Sequence, residues 1–207
     1  LSGTIAWTDR NGTAHALEGN ITVSGQAAAF MAGLIVVADA AALSDLAQTV
    51  PDAGGVTFVP ALAGLGAPHW NDDATGTVTG MTHSTSAAHL ARATIDAITH
   101  QIADVFEAME SDIGHQMSAL RADGGASTND FLMQTQADLS GRHVLRADME
   151  DVGAFGVAAM TFAASGAKSE AVSGEAKLFE PMIDQSERDE RRASWKAALA
   201  KAMHTVR

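Results

Sequence analysis

Hydrophobic positions change period several times along this 207-residue chain, and each change marks an element. Residues 4–8 and 13–17 alternate as strands do and are joined by Asp9-Arg10-Asn11-Gly12. Asn-Gly suits a tight primed turn, in which both central residues need positive φ, so a hairpin is predicted. Gly25 leads into an Ala-rich helix predicted over 26–37, with a second helical piece over 41–48. Pro51, Gly54 and Gly55 break that pattern, and a short buried strand over 56–59 ends at Pro60. Residues 61–76 read as a long irregular loop. Such loops inside domains are functional or disordered, and Leu62, Leu65 and Trp70 predict order here. A strand over 77–81 follows. The clearest helix covers 89–110, where Leu90, Thr94, Ala97, Ile98, Ile102, Val105 and Met109 recur three or four apart. Short strands over 120–122 and 143–146 flank a helix over 129–139. A helix over 153–164 is apolar on nearly every side, which predicts burial. A loose Ser/Gly/Lys/Glu stretch over 165–177 precedes a last helix, 184–203, with a charged face and Trp195. Strands alternating with helices predict one α/β layered domain, with no internal repeat.

Composition narrows the functions this domain can have. With 46% hydrophobic but only 5% aromatic residues and no tyrosine, the core must be built from Ala, Val, Leu, Ile and Met. A net charge of −12 argues against a nucleic-acid partner and against an anionic membrane surface. A small anionic ligand stays compatible, because glycine loops and helix N-termini bind phosphate locally. Cysteine is absent, which excludes disulfides and thiolate metal sites. The apolar run 27–38 is too short for a bilayer, which takes about 20 residues. The chain lacks the pattern of a signal peptide and starts without Met. A cytoplasmic piece of something longer is expected.

Most of the polar clusters read as ordinary. His89 and His100 are eleven residues apart and no H-x-x-x-H pair exists, so no metal site is expected. Asp72-Asp73 reads as a solvated loop pair. Asp104, Glu107, Glu110 and Asp112 read as a solvated helix end. No G-x-S-x-G elbow supports a serine triad. The segment Asp123-Gly124-Gly125-Ala126-Ser127-Thr128-Asn129 stands out. It joins a strand to a helix through two glycines and three good N-caps, with Asp130 in the first turn. It is open between a structural turn and a loop that lets a flat ligand approach where no Cβ intervenes.

One series of motifs goes further. VTFVPALAGLGAPHW over 56–70, GTVTGMTHSTSAAHLARATID over 76–96, and DGGASTNDFLMQTQADLSG over 123–141 occur in this order. ALEG at 16–19, FEP at 179–181 and Trp195-Lys196 extend the series. Together they resemble the C-terminal domain of the FGGY carbohydrate kinases, the glycerol kinases most of all. The resemblance implies an actin-like (ribonuclease H-like) ATPase domain, a mixed sheet flanked by helices. By that resemblance residues 1–207 are the nucleotide side of an ATP- and Mg²⁺-dependent polyol or sugar kinase. Gly25, Gly124, Gly125 and Asn129 would contact ATP, the glycines by backbone approach and Asn129 by its amide. The catalytic and polyol-gripping residues of the family lie N-terminal to such a segment. No catalytic residue is therefore expected in this chain, and residues 1–207 alone are expected to be inactive. A face bared by that missing half would favour homo-oligomers.

The pattern also departs from the family. A nucleotide-contacting Gln four residues beyond the first glycine is Ala29 here. Two arginines are replaced, at Thr75 and His83, and the usual Tyr-Trp-Asp is His69-Trp70-Asn71. Another FGGY sugar kinase, of xylulose or erythritol type, and a non-catalytic interaction domain both stay open.

Overall fold

A 27-residue helix, Ala87–Ile113, organises the domain. The computed structural model describes residues 1–10, 12–149, 151–166 and 176–204. Before this helix, α3, come β1 (Ser2–Asp9), β2 (Gly12–Glu18), α1 (Gly25–Leu34), α2 (Ala40–Ala47), β3 (Thr57–Val59) and β4 (Thr77–Thr79). After it come β5 (Ala119–Ala122), α4 (Asp130–Ser140), β6 (His143–Arg146), α5 (Val152–Ser165), β7 (Lys177–Phe179) and α6 (Gln185–Met203). The predicted elements are all present, with ends shifted by a few residues. Of the hairpin turn, Asn11 lies outside the described residues, as do 167–175 of the stretch expected to be loose.

The ends of α3 explain its length. At its start, His89 Nδ1 accepts from the backbone N–H of Ser86 at 3.1 Å, closing the first turn. At its end, Gly114 takes a left-handed φ of 75°. Between them, Ala91, Thr94, Ile95, Ile98, Thr99 and Ala103 are all buried, so the helix is enclosed rather than laid on a surface. Its neighbours α1, α2, α4 and α6 share the core with it, where Met31, Leu43 and Trp195 are fully buried.

Three small sheets surround this helical centre. β1 and β2 pair antiparallel with an irregularity between Ile5 and Trp7, and β3 pairs antiparallel with β4. β5 pairs parallel with β6, with α4 as the connection, and β7 joins β6 antiparallel. This third sheet is the mixed sheet flanked by helices. β7 has no counterpart in the predicted elements, because three residues carry too short an alternation to register. β5 lies at the sheet edge.

The loop over 61–76 is ordered by its own backbone. Leu65 and Asn71 exchange N–H···O bonds of 2.8 and 2.9 Å, and Ala67 N–H donates to Asn20 O at 2.9 Å. The Ala67–Pro68 peptide is cis. Leu65 is buried, while Trp70 points outward.

Two expectations need correction. The apolar helix α5 has no buried residue, and Val157 is 66% exposed. Apolar composition creates a demand for cover, and the described residues do not meet it. The acidic end of α3 is solvated only in part, with Glu107 and Asp112 exposed. Asp104 is buried, Glu107 pairs with Arg192 and Glu110 pairs with Arg142.

Candidate functional site

α1, α3, α4 and β5 enclose a cleft of about 510 Å³. Ile95, Ile98 and Ile102 of α3 and Leu132 and Met133 of α4 make its walls apolar. Gly25, Arg121, Asp123, Gly125 and Asn129 line it as well, at the ends of β5 and of the helices. Three of the four residues expected at a nucleotide site therefore meet around one cavity, although Gly25 and Asn129 are far apart in sequence. Gly124 does not line it. With φ 80° and ψ 171°, Gly124 instead turns the chain from β5 into a 3₁₀ turn, Gly125–Thr128.

That turn is held from within and from behind. Ser127 Oγ donates to Gly124 O and Thr128 Oγ1 to Gly125 O, both at 2.7 Å. Arg146 on β6 donates to the carbonyls of Ser127 and Thr128 at 3.3 Å and to Asp130 Oδ1 at 2.6 Å. Lys177 of β7 bonds the other Asp130 oxygen. These two cations hold the Asp130 carboxyl below its ordinary pKa, Lys177 contributing most.

Of the three candidate caps, Asn129 is the one used. Its Oδ1 accepts from Leu132 N at 3.1 Å, opening α4, and its Nδ2 donates to Ser44 Oγ of α2 at 2.8 Å. The Asn129 oxygen is thus engaged in the cap, and one amide N–H is left for a ligand.

Gly25 and Gly125 differ from most glycines of the chain. A Cβ built on either would meet nothing within 4 Å, and neither has a positive φ. Nothing in the protein requires a glycine at these two points, yet both face the cleft. Gly25 also opens α1, whose N-cap Ser24 makes no side-chain capping bond. Ser24 and Gly25 both line the cleft, so α1 meets it at the positive end of its dipole. Ala29, one turn on, has no polar group to offer.

Sequence reasoning missed Ser44, Arg121 and Arg146. No local signal marks Ser44 or Arg146, since their partners are 85 and 16–19 residues away. A larger apolar cavity, about 590 Å³, lies between the hairpin and the end of α3, lined by residues such as Ile5, Leu17, Met109 and Met117. Beyond the His15 imidazole no ionisable side chain lines it, and it offers little chemistry.

A buried polar network sits on the far side of α3. Asp104 accepts from His69 Nε2 at 3.0 Å, from Trp195 Nε1 at 2.8 Å and from Arg192. Burial alone would raise the Asp104 carboxyl, yet these donors, His69 first, hold it below the ordinary value. His100 stacks on Trp195 with ring centres 5.1 Å apart and accepts from Arg192 through Nδ1. Burial, aided by the Arg192 charge, pushes its pKa down to about 3. Among the described residues, no group of three or more His, Asp or Glu side chains is placed to hold a metal ion.

Residues 4–165 match the FGGY family of carbohydrate kinases, C-terminal domain. The chain is 43% identical over 205 residues to a glycerol kinase of Alkalilimnicola ehrlichii, covering 98% of this chain and 41% of that protein. It is 43% identical over 208 residues to a glycerol kinase of Burkholderia cenocepacia, covering 98% of this chain and 42% of that protein. The chain thus spans about two fifths of the length of these curated relatives. Among solved structures, Plasmodium falciparum glycerol kinase with ADP superposes with a TM-score of 0.83 at 26% identity, over 99% of this chain and 42% of that one. Gluconate kinase from Lactobacillus acidophilus shares the fold, with a TM-score of 0.76 at 22% identity over 92% of this chain and 40% of that one.

Proposed function

Because the chain belongs to the FGGY family of carbohydrate kinases, we propose that it is the nucleotide-side portion of an ATP-dependent polyol or sugar kinase of glycerol kinase type. The complete enzyme would pass the γ-phosphoryl group of ATP to a substrate hydroxyl. The groups that grip the polyol and deprotonate it would come from the rest of the polypeptide, and a cytoplasmic setting goes with this reading. No helix among the described residues is long and apolar enough to cross a membrane.

One observation carries the proposal: Gly25 and Gly125 line the same cleft, and the fold requires glycine at neither. Each leaves room for a ligand to lie against bare backbone. The apolar walls from Ile95, Ile98 and Leu132 suit the faces of a base. The free N–H of Asn129 would donate to adenosine, while Gly124 shapes the turn that presents Gly125.

Mg²⁺ would neutralise charge developing on the transferred phosphoryl group. This chain fits only a shared site for it, since Asp123 is the single carboxylate lining the cleft. The other ligands would be nucleotide oxygens and water. Asp123 would orient a hydrated ion rather than enclose it.

The test is titration of ADP into residues 1–207, followed by amide NMR. Shifts centred on Gly25, Gly125 and Asn129 are expected. Gly125→Ala should leave the thermal midpoint unchanged and weaken ADP binding on the order of tenfold, since a methyl group would occupy ligand space. An unperturbed cleft at millimolar ADP would refute the reading.

A further inference from the structure

The cleft contains one cation that the fold does not account for. Arg121 lies on β5, lines the cleft and is exposed. Among the described residues, every other arginine and lysine has a hydrogen-bond or electrostatic partner. Even Arg188, which meets no carboxylate, bonds Asp138 O, Ile183 O and Gln185 Oε1. Among the described residues, the Arg121 side chain makes no hydrogen bond, ion pair or ring contact. Asp123, just past the end of β5, lines the same cleft and still does not pair with it.

This arrangement is unusual for a chain carrying a net charge of −12. With carboxylates in such excess, a guanidinium left unpaired on a cavity wall is matched to an anion from outside. Its planar fork suits phosphate oxygens, which it binds by two parallel N–H···O bonds. The N-terminus of α1, with no side-chain cap at Ser24, lines the same cleft and adds positive potential of the same sign.

We propose that Arg121 is a phosphate-binding residue of this cleft, holding a phosphate group of a nucleoside di- or triphosphate. The proposal rests on the nucleotide reading above and assigns to this chain a part in holding phosphate as well as nucleoside. Asp123 beside it then serves as a counter-charge, keeping the site selective for phosphate that arrives with a cation.

The experiment compares ADP and adenosine binding to residues 1–207 by calorimetry, in wild type, Arg121→Met and Arg121→Lys. Wild type is expected to bind ADP more tightly than adenosine. Arg121→Met should lower ADP affinity about 10- to 100-fold, the loss of a charge-assisted hydrogen-bond pair, and leave adenosine affinity unchanged. Arg121→Lys should recover part of the loss, as a point charge without the fork. Pyrophosphate should compete with ADP in wild type and compete poorly in Arg121→Met. All three proteins should melt alike, because Arg121 has no partner to lose. If ADP and adenosine bind equally, or if Arg121→Met binds ADP as wild type does, the phosphate role is overturned and the nucleotide cleft stands. If neither ligand binds wild type, both fall.

Discussion

Arg146 fixes the shape of the turn that carries Gly125, reaching from β6 to two carbonyls and the Asp130 carboxylate. Arg146→Met removes all three bonds at a partly exposed position. A loss of about 1–2 kcal/mol is expected, together with faster hydrogen exchange confined to residues 125–129. Arg146→Lys should restore the charge but not the two carbonyl bonds, so exchange in the turn should stay fast. Uniform protection in both variants would show that the turn holds itself. Little of this is legible in the sequence. That a cap lies within 127–129 is legible, because small polar residues before an apolar run serve as N-caps, but not that Asn129 is the one used. Arg121 and Arg146 are both strand arginines and look alike in the string. Only the fold shows that one is fully engaged and the other unpaired.

At the scale of elements, α3 and α6 are joined by titratable groups, so their union depends on pH. The folded state keeps the His100 imidazole neutral down to about pH 3, whereas an unfolded histidine takes up a proton near 6.5. Between those values the unfolded chain binds more protons, so stability falls as pH drops below 6.5, by up to about 1.4 kcal/mol per unit. Asp104 adds to the loss at the acid end, because its lowered carboxyl stabilises the fold above the ordinary carboxylate range and stops doing so as it protonates. Asp96, raised by burial against the pull of Arg92, works the other way at low pH. Thermal midpoints should therefore decline from pH 6.5 to 4.5, and His100→Phe should flatten that slope whatever it does to absolute stability. An unchanged slope would assign the acid sensitivity elsewhere. The 3.6-residue period located α3 correctly. It could not show that Asp104 turns inward, because the donors Arg192 and Trp195 are 88 and 91 residues away.

For the whole molecule, the decisive feature is an apolar face that the described residues leave bare. Val157, Met160 and Phe162 of α5 and Ile5 and Trp7 of β1 are exposed, and Arg10 bonds Ala164 O, bringing the hairpin end to the end of α5. Residues 1–207 should therefore associate as concentration rises, seen by sedimentation velocity. Val157→Lys should suppress this association and change stability by no more than about 0.5 kcal/mol, as expected of an exposed site. A large destabilisation would mean that α5 is covered after all. The sequence showed how apolar this helix is, but cover depends on a second surface that no pattern within the helix describes.

The placement of cleft and network on α3 has a further consequence. Ile98 and Ile102 face the cleft, while His100 and Asp104, interleaved with them, face the network that holds α6. The same two turns of helix therefore answer to both ligand and C-terminal helix, and the two cannot be inherited piecemeal. A chimera that takes α3 from a relative has to take α6 with it, and drift at one surface is tolerated only as far as the other permits.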